Sequence, residues 1–486
     1  DGKFNVVANP TALRQPGSSI KPLVYQAFLE KAGGTAATIF ADVPTTFQAN
    51  DKITPYTPRN YDGKFRGPVN LRESLGNSFN IPAVKALAQV GLENFLNLAY
   101  KAGLSTLAPT GANLQNLGLS LALGGGEIRM IDVSEAYSSF ANEGKKVEPV
   151  AILQVNDVSG NTLYKYAVTE GEQIFDKNAT FIINDILMDN NARATEFGLN
   201  SQLNTKLPIA VKTGTTNNLR DNWTVGWSKT FLVHTWVGNN DNSSMSGVVS
   251  GITGAAPIWR RIVNTLVAMG YETPAFTVPE GVEKLKVDAV SGYPEHNSFA
   301  TKEEYFVKNT AGALPDPIHQ KIWVCKGQNK IATDAQKVAG DNEEKEYVIM
   351  KESDPVSEDG VNRWQIGIDN WIASQDNDLY KYPTEMCGDT SEMSVAIFDL
   401  EDGSTRALDK VKFRVKADSS SGISKIEVYL DGEKKEEKSG ENEFELEWQL
   451  SAQVHEVYAK AYSRDGKEST TKTYKIGVSN VEVPKD

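Results

Sequence analysis

Ser18 and Lys21 stand three residues apart at the mouth of an apolar run, in RQPGSSIKP. A serine hydroxyl is a poor nucleophile until a base takes its proton, and an amine can be that base when burial or a neighbouring cation depresses its pKa. On a helix, side chains three apart share a face, so the Lys21 ammonium is predicted to reach the Ser18 hydroxyl while Ser19 points elsewhere. Alone the pair says little. Ordinary usage gives roughly one or two Ser-x-x-Lys strings in a chain of this length, and a helix cap beside a solvated lysine is the plain alternative.

Two further groups follow in the chain. Ser78-Phe79-Asn80 lies at a helix-to-helix junction, where serine and asparagine taken singly read as cap and turn chemistry. Lys212-Thr213-Gly214, continued by Thr215 and Thr216, lies on a strand and is the most specific of the three, since such a tripeptide is expected by chance well under once. Gly214 would let a substrate backbone come close, and the Thr213 and Thr215 hydroxyls suit a substrate carboxylate. The usual base is missing. Of the four histidines, His234 sits within a strand pattern and His296, His319 and His455 lie later, none beside a serine in a plausible elbow, which argues against a Ser-His-Asp triad.

The elements that must hold these groups can be read from periodicity. Ile20, Leu23, Val24, Ala27 and Phe28 recur at helical spacing until Gly33-Gly34, with Pro22 in the first turn, predicting a buried helix that starts at or just before Ser18. Further helices are predicted over 71–77, 81–87, 92–101, 130–142, 178–188 and 258–269, and strands over 209–216, 222–228 and 231–239, an α+β arrangement with an antiparallel sheet. Trp223, Trp227 and Trp236 read as sheet core rather than sugar platforms. The stretch 273–390 is polar and acidic and predicts an irregular linker module. From 391 to 486 strict alternation (Val411, Phe413, Val415; Ile426, Val428, Leu430; Val457, Ala459, Ala461) with Asp-Gly turns predicts an immunoglobulin-like β-sandwich.

Composition sets the limits. The 486 residues, 40% apolar and 23% charged, exceed a single core, and no run reaches the roughly 18 to 20 apolar residues of a membrane span. A net charge of −13 argues against nucleic acid as a partner. The only cysteines, Cys325 and Cys387, leave one disulfide or two buried thiols equally open. The triple glycine at 124–126 lacks the spacing and lysine of a phosphate loop.

With S-x-x-K, S-x-N and K-T-G in this order, the chain resembles the penicillin-recognising serine acyltransferases, a system long described by these three motifs. RQPGSSIKP, DVPTTF, YTPRNYDGKFRGPVNLRESL, NSFNIPAVK, FANEGK, VKTGTTNNLRDNW and APIWRRI are similar to the transpeptidase domain of class A high-molecular-mass penicillin-binding proteins, over about residues 1–272, and EYFVKNT to a segment that follows it. The resemblance implies a serine β-lactamase/transpeptidase-like domain. It also implies a glycosyltransferase domain, a membrane anchor and an extracytoplasmic location, and strands before the Ser18 helix, which either lie upstream of this chain or leave it with an incomplete sheet and an exposed edge.

For the site, the resemblance implies Ser18 as nucleophile toward peptidoglycan stem peptides ending in D-Ala-D-Ala, Lys21 as base, and Ser78 as proton relay with Lys212 nearby. Asn80 holds Lys21 and the substrate amide, Thr213, Gly214 and Thr215 receive the substrate, and the Ser18 and Thr215 N–H groups form an oxyanion hole. No cofactor or metal is implied; β-lactams and cell-wall, divisome or elongasome proteins are implied as partners. A D,D-carboxypeptidase, a β-lactamase and a non-enzymatic β-lactam sensor are the rivals. Glu93 in E-x-x-L-N copies a β-lactamase deacylation string but sits in a helix patterned as core, and reads as a decoy.

Overall fold

The computed structural model describes residues 12–48, 55–245, 250–333, 336–337, 342–387, 393–407, 409–419 and 421–484. It divides into two compact units, residues 1–319 with 349–376, and residues 320–348 with 377–486. The helices of the first unit include α1 (Lys21–Lys31), α2 (Leu71–Gly76), α3 (Asn80–Val90), α4 (Met130–Ala141), α5 (Lys177–Met188), α6 (Ala255–Ala268) and α7 (Arg363–Ala373), beside Leu92–Lys101 and the shorter Gly111–Asn116 and Ala194–Phe197. The sheet is β1 (Ala210–Thr215), β2 (Asp221–Trp227) and β3 (Leu232–Gly238), antiparallel in that order, and among the described residues β3 pairs on one side only. Of the residues before Ser18, where further strands are expected, 1–11 lie outside the described residues.

Helix α1 is buried around its whole circumference over Lys21 to Phe28 and joins the main core with α3 and α5. Its start differs from expectation. Gly17–Ile20 forms a 3-10 turn, and the α-helix begins only at Lys21. The cause is Pro22: it has no N–H to give Ser18 O in an α-helical bond, so the Lys21 N–H takes that carbonyl one residue earlier, closing a 3-10 turn. Helix α2 starts with a capping box, the Asn70 side chain accepting from Glu73 N at 2.9 Å and Glu73 Oε2 accepting from Asn70 N at 3.2 Å.

The stretch expected as irregular carries paired strands and a helix among its described residues. Val282–Asp288 and Thr301–Val307 form an antiparallel hairpin, His319–Cys325 pairs with Asn342–Val348, and Ile349–Asp376 returns to the first unit. Its charged composition misled because these are two-stranded pieces with one wet face, where Lys and Glu pair across the strands, as Lys284 Nζ does with Glu303 at 2.6 Å. The first hairpin is tied to the helices by Arg72, which donates to buried Glu304 at 2.6 and 2.8 Å and to Asp185 at 2.6 Å. Trp364 of α7 lies in the same core as α1 and α3, and Lys85 of α3, fully buried, donates to Ala41 O at 2.8 Å and pairs with Glu352.

In the second unit, Met393–Phe398, Lys410–Ser419 and Glu443–Gln449 form one sheet. Ile423–Leu430, Val454–Ser463 and Tyr474–Val478 belong to another, and Val411, Phe413, Val415, Ile426, Val428, Val457, Ala459 and Ala461 share one core. The turn at Asp431-Gly432 has φ of 52° and 83°, the pair of positive values that a tight hairpin requires. Cys325 and Cys387 are joined as a disulfide, with Cα atoms 6.6 Å apart.

Candidate active site

Three glycines let backbone lie directly on backbone around Ser18. A Cβ on Gly124 would stand 2.2 Å from Gly17 N, one on Gly17 2.5 Å from Thr215 O, and one on Gly214 2.4 Å from Pro16 O. Strand β1 is thereby seated against the turn that carries Ser18, and Gly17 and Gly124 hold φ of 55° and 82° to permit it. This corrects the reading of Gly214: the space it leaves is filled by Pro16 and Ser19 of this chain rather than held open for a substrate backbone. It also gives the 124–126 glycines a role that sequence alone did not. Trp223 Nε1 donates to Gln15 O at 2.8 Å and the Tyr137 hydroxyl to Ser19 O, fixing the turn from both sides.

Lys21 is fully buried, yet its ammonium does not bond Ser18. It donates to Ser78 O at 2.6 Å, Phe79 O at 3.0 Å and Asn80 Oδ1 at 2.6 Å, with Ser78 Oγ at 3.4 Å. Lys212 Nζ reaches the same hydroxyl at 2.8 Å and Thr213 O at 2.9 Å, so Ser78 stands between two buried lysines. Ser78 takes φ of 63°, left-handed backbone that costs a non-glycine residue roughly 1 kcal/mol and here aims its carbonyl at Lys21. Ser18 Oγ has no hydrogen-bond partner among the described residues, whereas the Ser19 hydroxyl donates to Pro16 O at 2.7 Å and is 1% exposed. Catalytic contacts are often unmade before substrate arrives.

A supporting layer went unread in the sequence. Asn80 N donates to Asn60 Oδ1 at 2.7 Å, Asn80 Nδ2 to Arg59 O at 2.6 Å, and Asn60 Nδ2 to both oxygens of buried Asp42 at 2.8 and 2.9 Å. Asn60 and Arg59 sit in the YTPRN string and Asp42 opens DVPTTF, so the signal was present as motif without a role. A cleft of about 430 Å³ is lined by Ser18, Ser78, Asn80, Thr213 and Thr215 from the predicted set, and also by Arg59, Asn60, Asn77, Glu196 and the Ser250–Ile252 loop. Thr215 Oγ1 accepts from Gly251 N at 2.9 Å, tying that loop to β1. Lys21 and Lys212 stand behind the lining, 0% and 2% exposed. Glu93 is exposed on its helix and does not line the cleft.

His234 does meet a serine, contrary to the sequence reading: its Nδ1 is 2.9 Å from Ser134 Oγ. Neither residue lines the cleft, and burial drives the imidazole pKa down to about 3. Ser451, His455 and Asp431 also fall in line, at 3.3 and 2.7 Å, but His455 Nε2 meets the Ser451 carbonyl at 3.1 Å and so must itself carry a proton. It cannot accept one from a hydroxyl. Trp223 and Trp227 are buried in the sheet core, as expected.

Desolvation lowers the Lys212 pKa to about 7, and the buried Arg193 guanidinium adds to the fall. Lys21 is pulled well below the ordinary lysine value by burial first and the Lys212 charge second, against the opposing pull of Asp42 and Glu196. Because the folded Lys212 pKa lies below its ordinary 10.5, the unfolded chain holds a proton that the folded chain sheds between about 7 and 10.5. The penalty is full below about 7 and fades as pH rises through that window. Lys212→Met is therefore expected to raise the Tm at pH 6, with the gain shrinking toward pH 10, in calorimetric scans of both proteins across that range. A gain that grows with pH would refute the buried-amine account.

The geometry can be set beside known proteins. A model of the penicillin binding protein transpeptidase domain matches residues 8–263. This chain belongs to that family. Within it, this penicillin-binding protein chain groups with class A: it is 33% identical over 309 residues to penicillin-binding protein 2D of Bacillus subtilis (strain 168), covering 62% of this chain and 43% of that protein. It is 34% identical over 270 residues to penicillin-binding protein 1A of Aquifex aeolicus (strain VF5), covering 55% and 35%. The chain thus spans less than half the length of either relative. The crystal structure of penicillin-binding protein 1A from Haemophilus influenzae shares the fold, with a TM-score of 0.52 at 23% identity over 64% of this chain and 50% of that one. Among the described residues no helix is long and apolar enough to cross a membrane.

Proposed function

We propose that this chain is the D,D-transpeptidase part of a bifunctional glycosyltransferase/transpeptidase, joining peptidoglycan stem peptides through an acyl-enzyme on Ser18. The observation that carries the reading is the Ser78 hydroxyl shared by two buried lysines, in the same cleft as an unpaired Ser18 hydroxyl. In this reading Lys21, as the neutral amine that its lowered pKa favours, turns its lone pair from an oxygen partner to the Ser18 hydroxyl and takes that proton as Ser18 Oγ attacks the carbonyl between the terminal D-alanines. The Ser18 and Thr215 N–H groups stabilise the oxyanion, a contribution of about 3 to 4 kcal/mol per donor in comparable acyl transfers. The proton reaches the departing D-alanine nitrogen through Ser78, with Asn80 holding Lys21 and the substrate amide. Thr213 and Thr215 receive the substrate carboxylate, Lys212 stands beside the Ser78 relay, and Gly214 keeps β1 against the nucleophile turn. An amine of a second stem peptide then replaces the serine oxygen. No step calls for a metal or cofactor.

The reading extends to an extracytoplasmic protein anchored through a segment outside this chain. It has a transpeptidase domain to about residue 272, a linker module over 273–390 and an immunoglobulin-like sandwich over 391–486. Its partners are β-lactams and other proteins of the cell-wall machinery.

Exposure to benzylpenicillin, followed by intact mass and peptide mapping, tests it. One adduct of penicillin mass on the Ser18 peptide, persisting for hours, is expected. Rapid loss of the adduct would favour a β-lactamase, and cross-linking of labelled lipid-linked peptidoglycan by the full-length protein separates a synthase from a sensor.

A further inference from the structure

Glu196 is the only acidic side chain among the described residues that line the cleft. It stands on the short helix Ala194–Phe197, and its N–H donates to Asn77 Oδ1 at 2.9 Å. Asn77 is the residue before Ser78 and in turn donates to Ala192 O at 2.7 Å, while Gly76 leaves room only for that same carbonyl. The backbone of Glu196 is thus fixed to the loop that aims Ser78. Its carboxylate is half-engaged: Oε2 accepts from Arg66 at 3.3 Å, a guanidinium already committed to Asp62 at 2.7 Å, and Oε1 makes no hydrogen bond among the described residues, which leaves it open to a ligand in the cleft.

We infer that Glu196 receives the acceptor of the second half-reaction, binding the ammonium of an incoming primary amine and taking its proton as the amine attacks the Ser18 ester. This rests on the transpeptidase reading above. A stem-peptide amine arrives protonated at neutral pH and has no lone pair until a base removes a proton. Glu196 takes one proton of the ammonium and frees its lone pair; as the nitrogen bonds to the acyl carbon its second proton passes to Lys21, the bond from that carbon to Ser18 Oγ breaks, and Lys21 returns that proton to Ser18. Lys21, which has passed the Ser18 proton to the departing D-alanine, can take only one of the two protons that the ammonium must lose on becoming an amide, so the other needs a second base. The groups facing Glu196 are Asp62, Arg66, Lys21 and Lys64; burial first and Asp62 second push its carboxyl pKa upward, toward the strength of a useful base.

The test is the partition of one acyl-enzyme between amine and water. With an acyl-D-alanyl thioester as donor and Nα-acetyl-lysinamide as acceptor, the ratio of amide product to hydrolysed acid is measured for the native chain, Glu196→Gln and Glu196→Asp. Both products come from the same acyl-enzyme, so any change in acylation or in folded fraction cancels. Glu196→Gln is expected to lower the ratio tenfold or more, to remove its rise with pH through the carboxyl titration, and Glu196→Asp to restore part of it. An unchanged ratio with both products reduced would make Glu196 merely structural, and a ratio that rises because hydrolysis alone is lost would make it the base for water. Either overturns the inference while leaving the transpeptidase reading standing; a native chain that forms no acyl-enzyme overturns both.

Discussion

Ser18→Ala is expected to abolish covalent labelling by a fluorescent penicillin, while Ser19→Ala labels like the native chain. The two hydroxyls are neighbours in sequence and opposites in environment. Ser18 lines the cleft with a hydroxyl that no described residue engages, beside the Thr215 peptide and in front of two buried lysines. Ser19 is sealed, its hydroxyl given to Pro16 O, and replacing it forfeits roughly 1 kcal/mol of hydrogen bonding without touching the cleft. In-gel fluorescence after equal exposure times, with thermal melts to confirm folding, decides the matter. Equal loss in both variants, or a label surviving Ser18→Ala, would remove Ser18 from its role.

Replacing Glu352 by Leu should destabilise the first unit more than any surface change. Lys85 is 0% exposed on α3, and its ammonium has Ala41 O, the Glu352 carboxylate and the face of Trp364 at 5.3 Å around it. Glu352 also accepts from Ala41 N at 2.8 Å, so it holds the strand Ile39–Asp42 whose Asp42 orients Asn60 and, through it, the start of α3. Removing one member of a buried ion pair leaves the other charge unsolvated, a loss of about 3 to 5 kcal/mol, and the 16% exposure of the Glu352 side chain points to the lower end. A Tm lower by roughly 5 °C in calorimetry is expected. Adding Lys85→Met should recover most of it, because two apolar side chains replace a pair instead of stranding one charge. No recovery in the double variant would place the effect in packing rather than in the pair.

That clamp marks where sequence reading stopped. Lys85 and Glu352 are 267 positions apart, and nothing in local composition joins them. The segment around Glu352 reads as acidic loop because 351–363 is dominated by charged and turn residues, although Trp364 opens an amphipathic helix just beyond it. The hairpins of 282–307 and 319–348 were missed for the same reason: a two-stranded piece with one wet face carries as many lysines and glutamates as a linker does. Helices α1 to α6 and the three strands of the sheet were legible because each is an extended run rich in apolar residues, and the strands of the second unit because they alternate strictly.

For the site, the sequence by itself determined which residue types stand in which order: a serine and a lysine one turn apart, a serine and an asparagine at a junction, and a lysine strand ending in glycine and threonine. It also separated Ser18 from Ser19, since helix phase is a local property. Only the tertiary structure decided how the groups meet. Pro22 converts the start of α1 into a 3-10 turn, the left-handed Ser78 turn captures the Lys21 ammonium, and the glycine seam presses β1 against Ser18, so that Ser78 rather than Ser18 is the hydroxyl both lysines touch. Each of these depends on segments brought together across the core, where desolvation lowers both amine pKa values. Spacing along the chain carries no information about the solvent left around a charge, and that is what sets the pKa values of these two lysines apart from ordinary ones.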